Sequence, residues 1–228
     1  MPPLKNQVRR VAAWIYVVIN PIISSLEREL SLLESGNLTW RNTTHRCERI
    51  KSIQEYVDSS QWPNYQDFTA EHHKSAFISA FKNHDSNVEA VNNVASALFS
   101  RLLNLPDFQR ALDHALAAYE KSDASKSPQG SMSADLRQDA PKIVAELLIN
   151  NTSQLPSHYL ISQFWNSEGM NSLAAFKNMP PFEPLHQARR SLQEHSANLK
   201  LALETFRLSL SRKYDVPAAP VPGLSFET

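Results

Sequence analysis

A chain of 228 residues is long enough for one large domain or two small ones, and 42% hydrophobic residues suffice for a substantial core. Four glycines, against roughly 16 at average usage, argue against hairpin-rich β folds and phosphate-cradling loops, which need residues free of a Cβ. Twenty-three basic residues balance 23 acidic ones, so no overall charge draws the chain to nucleic acid or anionic lipid, and the lone Cys47 excludes an intrachain disulfide and a cysteine-based zinc site.

Val8, Val11, Ile15, Ile19, Ile22, Leu26, Leu30 and Leu33 recur at steps of three and four, which predicts a helix over about 7–35. Pro21 falls inside it without changing the phase, so a local distortion is expected there rather than an end. Trp14, Tyr16 and Val17 lie off the stripe, making this helix apolar on more than one side. A second helix is predicted from 43 or 44 to 58, with Cys47, Ile50, Ile53 and Val57 inward, followed by an irregular aromatic connector over 59–68. Helices over about 69–83 and 86–103 come next, separated because Ser86-Asn-Val-Glu89 has the form of a capping box. Val88, Val91, Ala95, Leu98 and Leu102 keep the period in the latter. Pro106 opens a helix to about 121 with Phe108, Leu112, Ala115 and Tyr119 inward.

Residues 122–136 are polar and low in complexity and read as a flexible loop between an N-terminal helical part, 1–121, and a C-terminal one, 137–214, that packs on the first. Helices are predicted over about 137–150, 157–166 and 170–177. Pro180, Pro181 and Pro184 lead into a long last helix, about 184–213, with the stripe Leu185, Ala188, Leu192, His195, Leu199, Ala202, Phe206 and Leu210. A proline-rich tail with an apolar end, 215–228, closes the chain. The expected fold is all-α, an irregular multi-helix bundle with long first and last helices, and no fixed repeat marks a solenoid.

The apolar run Val11 to Ile19 follows Lys5, Arg9 and Arg10, as in a signal peptide, but Asn20 and Pro21 interrupt it, no small-residue cleavage site follows, and it is too short to span a bilayer. A cytoplasmic protein with no membrane association is expected.

Arg190-Ser-Leu-Gln-Glu-His195, near the start of the last long helix, has the form R-x4-H. It resembles the R-x4-6-H signature of HEPN ribonucleases, whose helical dimers bring two such motifs together. The resemblance covers six residues, and Ser191 stands where the family often has Asn, Asp or His. It implies a metal-independent endoribonuclease in which His195 moves the 2′-hydroxyl proton while Arg190 stabilises the pentavalent phosphate. The competing reading takes His195 as a core histidine between Leu192 and Leu199, with Arg190 in solvent.

Metal signals are incomplete. Glu183-Pro-Leu-His186 has the E-x-x-H spacing of di-iron bundles, which need two copies. His72-His73 and the pair His45 and Cys47 lack further ligands at a recognised spacing. Cys47 keeps phase with Ile50 and Ile53, as a small core residue does. No cofactor or metal is expected. Arg189, Arg190, Lys200, Arg207, Arg212 and Lys213 outnumber Glu194 and Glu204 on the last helix, a strip suited to nucleic acid or to an acidic protein surface.

With no assembled catalytic set, an over-apolar first helix and an extended apolar-ended tail, the sequence reads as a non-enzymatic accessory or adaptor subunit of an intracellular, bacterial multi-protein complex. Protein partners would dock on the first helix and the tail, and self-association is allowed. The alternative is a HEPN-like ribonuclease, or a degenerate RNA-binding relative, using Arg190 and His195.

Overall fold

A computed structural model describes residues 8–9, 11–13, 15–21, 23–24, 27–28, 31, 68–122, 126, 132–150 and 159–215. Of the interpretable part, 93% is helical and none is strand, so the fold is all-α. The expected helix over 43–58, the aromatic connector, Cys47, His45, most of the polar loop and the proline-rich tail lie outside the described residues.

Every described residue from 8 to 31 is helical (α1), and Ile15–Ile19 forms a π turn inside it. Pro21 supplies the reason. A proline ring collides with the carbonyl four residues back and offers it no N–H, and a widened turn just upstream relieves that conflict. Val11, Ile15 and Ile19 are buried, as the stripe predicts, with Ala12 beside them and Val8 half-buried, whereas Val17 on the same turn is 71% exposed. Ile22, Leu26, Leu30 and Leu33, the rest of the stripe, lie outside the side chains described.

The next helix, α2, runs unbroken over Phe68–Leu103, which corrects the expected interruption near residue 84. Ser86 does not cap. Its Oγ donates to the Lys82 carbonyl at 3.0 Å, and Asn87 Nδ2 donates to the Asn83 carbonyl at 2.8 Å. Short polar side chains that bond back one turn are accommodated inside a helix, so the capping-box pattern carries no break here.

Helix α3, Pro106–Lys121, has the predicted bounds and buries the predicted four residues, Phe108, Leu112, Ala115 and Tyr119. Helix α4, Ala134–Asn150, begins three residues earlier than expected because Ser133 Oγ accepts the Leu136 N–H at 3.2 Å as an N-terminal cap. Short helices α5, Tyr159–Trp165, and α6, Glu168–Ala175, follow, then 3-10 turns at Phe176–Asn178 and Pro180–Phe182. The last helix, α7, spans Glu183–Tyr214 and ends where Asp215 takes the left-handed conformation, φ 51°. No helix among the described residues is long and apolar enough to cross a membrane.

Among the described residues the chain forms two compact units: 8–31, 68–89 and 190–215 make the first, and 90–189 the second. In the first, α1, α2 and α7 share one core of Val11, Ile15, Ile19, Phe77, Phe81, Leu199, Leu203, Phe206 and Leu210. Phe77 stacks on Phe206 (centroids 6.3 Å apart), and Ser191 Oγ donates to Asn87 Oδ1 at 2.6 Å, so α2 and α7 run antiparallel here. In the second, edge-on aromatic pairs organise the core: Tyr119 on Phe164 at 5.7 Å, Phe108 on Phe176 at 6.0 Å, and Phe176 on Phe182 at 6.3 Å.

The buried line of α7 departs from the predicted stripe. It passes through Leu185, Leu192, Ser196, Leu199, Leu203, Phe206 and Leu210, while Ala188, His195 and Ala202 are half-buried flanks. On α2, Phe77, Phe81, His84, Val88, Val91, Ala95, Leu98 and Leu102 are all buried. The α2 line, and that of α7 from Leu192 on, alternate steps of four and three, the spacing of one continuous buried face along a long helix.

Ser196 is the polar interruption of the α7 seam, and its buried Oγ has no hydrogen-bond partner among the described residues. An orphaned hydroxyl costs about 1–3 kcal/mol. Ser196→Ala removes it with little change in volume and should raise Tm by roughly 2–4 °C. A lowered Tm on thermal denaturation would mean the hydroxyl is satisfied.

Candidate functional site

Arg190 and His195 both stand on α7 in the first unit, five positions apart on continuous helix. On ideal geometry that separates them by about 140° around the axis. Arg190 is exposed and His195 is half-buried. His195 is therefore neither in the seam, as the core reading had it, nor fully in solvent; it lines the seam beside Leu192 and Leu199.

The imidazole Nδ1 donates to the Ser191 carbonyl one turn back, at 2.8 Å. A carbonyl only accepts, so Nδ1 carries the hydrogen and, in the neutral ring, Nε2 keeps its lone pair. Ser191 binds in two directions, since its hydroxyl also reaches Asn87, whose Nδ2 is held by the Asn83 carbonyl. A short polar ladder thus crosses from α7 to α2 next to the histidine.

The basic strip is largely absorbed internally. Arg207 forms a two-point ion pair with Glu204, its Nε 2.9 Å from Oε2, and Lys200 Nζ pairs with Glu27 on α1 at 3.2 Å. Lys213 Nζ lies 5.8 Å from the centroid of the Tyr214 ring, and Arg212 is exposed. Arg189 does not belong to the strip. It occupies a seam position in the second unit, donates Nη2 to the Ile149 carbonyl at the end of α4, and is pulled by burial from its usual value to about 10. Arginine at a helix start reads as surface in a sequence, and only packing reveals otherwise.

Of the metal candidates, His186 Nε2 bonds to the Lys177 carbonyl at 2.9 Å, and Glu183 Oε1 accepts from Gln187 at 3.1 Å. The rings of His72 and His73 are 5.9 Å apart and tilted. No group of three or more His, Cys, Asp or Glu side chains is placed to hold a metal among the described residues. Comparison with protein-family models, with curated proteins and with solved structures gives no match in any of the three.

Proposed function

We propose that the chain is a non-enzymatic accessory or adaptor subunit of an intracellular protein complex, docking through α1. Val17 is the observation that supports this reading. Its turn buries Ile15 and Ile19 completely, yet Val17 itself remains 71% exposed, on a segment whose sequence is apolar on more than one side. Apolar surface beyond what a unit covers is what a protein interface supplies and removes from water. The π turn places that side chain at a departure from regular helix, where functional contacts are frequent.

A second reading, a HEPN-like ribonuclease, is favoured by one detail: the Nδ1 bond of His195 leaves Nε2 as the proton acceptor, the tautomer a general base requires.

Val17→Lys tests the first reading. The tagged protein purified from its native host should carry a stoichiometric protein partner, and Val17→Lys should lose it with unchanged circular dichroism and Tm. A monomer with no partner, or a partner retained by the variant, would reject docking through this face.

A further inference from the structure

Helix α1 keeps an exposed line opposite its buried one. Val11, Ile15 and Ile19 face the core, while Arg9, Val17, Pro21, Ser24 and Arg28 are exposed and Ala13 is half-buried among them. The steps of four and three along that line are those of one helix face. Arg9 and Arg28 end it, 19 positions and roughly 28 Å apart along the axis. An unbroken α-helix would turn them about 100° away from each other. The π turn at Ile15–Ile19 is wider and advances each residue through a smaller angle, which swings Arg28 back toward the line of Arg9.

Neither guanidinium makes an ion pair or a hydrogen bond among the described residues. Glu27, next to Arg28, has its carboxylate against Lys200 on α7 at 3.2 Å instead. The face is therefore cationic at both ends and weakly apolar between them.

The short side chains of Ala13, Val17 and Pro21 let a second helix come close, because the side chains at a contact set the distance between packed helices. The arginine fork at each end then calls for a carboxylate across from it. A bilayer surface takes a broad face of large apolar residues such as Trp, Phe and Leu. A nucleic acid takes a track of cations that follows its closely spaced phosphates. One valine between two distant arginines suits neither. We infer that the exposed line of α1 receives an amphipathic helix of another protein, with an apolar centre and acidic residues at both ends. This rests on the reading of α1 as a docking face and names the chemistry of what docks there.

The probe is a labelled synthetic helix of about 30 residues, with alanine and leucine in its centre and glutamates about 19 positions apart. It is titrated with the full chain by fluorescence anisotropy, beside a second peptide with lysine at each glutamate. The variant chain carries Arg9→Glu and Arg28→Glu, both at exposed positions, so its circular dichroism and Tm should match the parent. The parent should bind the glutamate peptide about tenfold or more tightly than the lysine peptide, and the variant should reverse that preference. A parent chain that binds both peptides equally, binds neither, or prefers phosphatidylserine vesicles or single-stranded RNA would overturn the assignment. The partner expected from the native host keeps the two readings apart. Its loss in Val17→Lys but retention in the double arginine variant leaves docking through α1 standing and removes the acidic helix. No native partner, alongside the expected peptide preference, removes the subunit reading and leaves the chemistry of the face.

Discussion

Ile19→Asp unfolds the protein or drives it into aggregates, while Val17→Lys, two residues away, leaves it folded with Tm changed by no more than about 2 °C. Ile19 is wholly buried against a core that includes Phe77, Phe81, Leu199, Leu203 and Phe206. Removing its aliphatic volume alone costs about 2–5 kcal/mol. The new carboxyl must then either stay ionised without a partner or take up a proton in an apolar site, and either adds several kcal/mol, by order of magnitude. Against a total stability of about 5–15 kcal/mol, the sum removes most or all of the folded population. Val17 at 71% exposure meets none of these terms. Circular dichroism and gel filtration decide the matter: a soluble, helical Ile19→Asp protein melting near the parent temperature would mean that α1 is not part of the core.

The pair of substitutions also separates what sequence periodicity specifies from what it leaves open. Stripes locate helices well where punctuation and period agree. Pro106 starts α3, and the four predicted inward residues are the four buried ones. They fail where a local signal has two physical outcomes. Ser86 and Asn87 have the chemistry of a cap and equally that of back-bonding to the preceding turn, and the apolar line from Phe77 to Leu102 continues through them because α2 is one helix. They also leave the flank of a stripe undecided. Between the shared positions Leu192, Leu199 and Phe206 of α7, a step of three reaches His195 and Ala202 and a step of four reaches Ser196 and Leu203, and packing buries the latter pair. The difference is one residue, and it moves His195 from the centre of the seam to its edge.

The surroundings of Lys177 and Arg189 were less legible still. Lys177 lies in a 3-10 turn that no apolar period marks, and Arg189 carries a charge that a sequence reading assigns to solvent. His186 fastens that turn to α7 and Arg189 reaches the Ile149 carbonyl at the end of α4, contacts made by residues 9 and 40 positions apart in the chain. No spacing rule contains that information. The signal available beforehand was the excess of arginine at the start of α7, which marked the neighbourhood but not the side chain that turns inward.

Substituting Arg190 and His195 gives opposite patterns for an adaptor and for a ribonuclease, and the adaptor pattern is the expected one. His195→Leu should leave Tm unchanged or slightly raised. The bond it removes goes to a carbonyl within the same helix, which retains its backbone partner there, so no buried group is stranded. The leucine also gains apolar burial beside Leu192 and Leu199 at the edge of the seam. Arg190→Ala acts on an exposed side chain, and its effect should stay within about 0–1 kcal/mol. Neither substitution should alter partner binding through α1. A ribonuclease would behave differently, because the 140° or so between the two residues on an ideal helix requires a second copy of the chain to complete each site. It would then be a dimer, would cleave RNA without added metal, and would lose that cleavage in both variants at unchanged Tm, since removing a general base or a charge stabiliser costs about 10² or more in rate. Purified protein, incubated with single-stranded RNA in the presence of chelator, distinguishes the two. Intact RNA with the parent protein upholds the adaptor reading, and cleavage abolished alike by Arg190→Ala and His195→Leu would replace it with the enzyme.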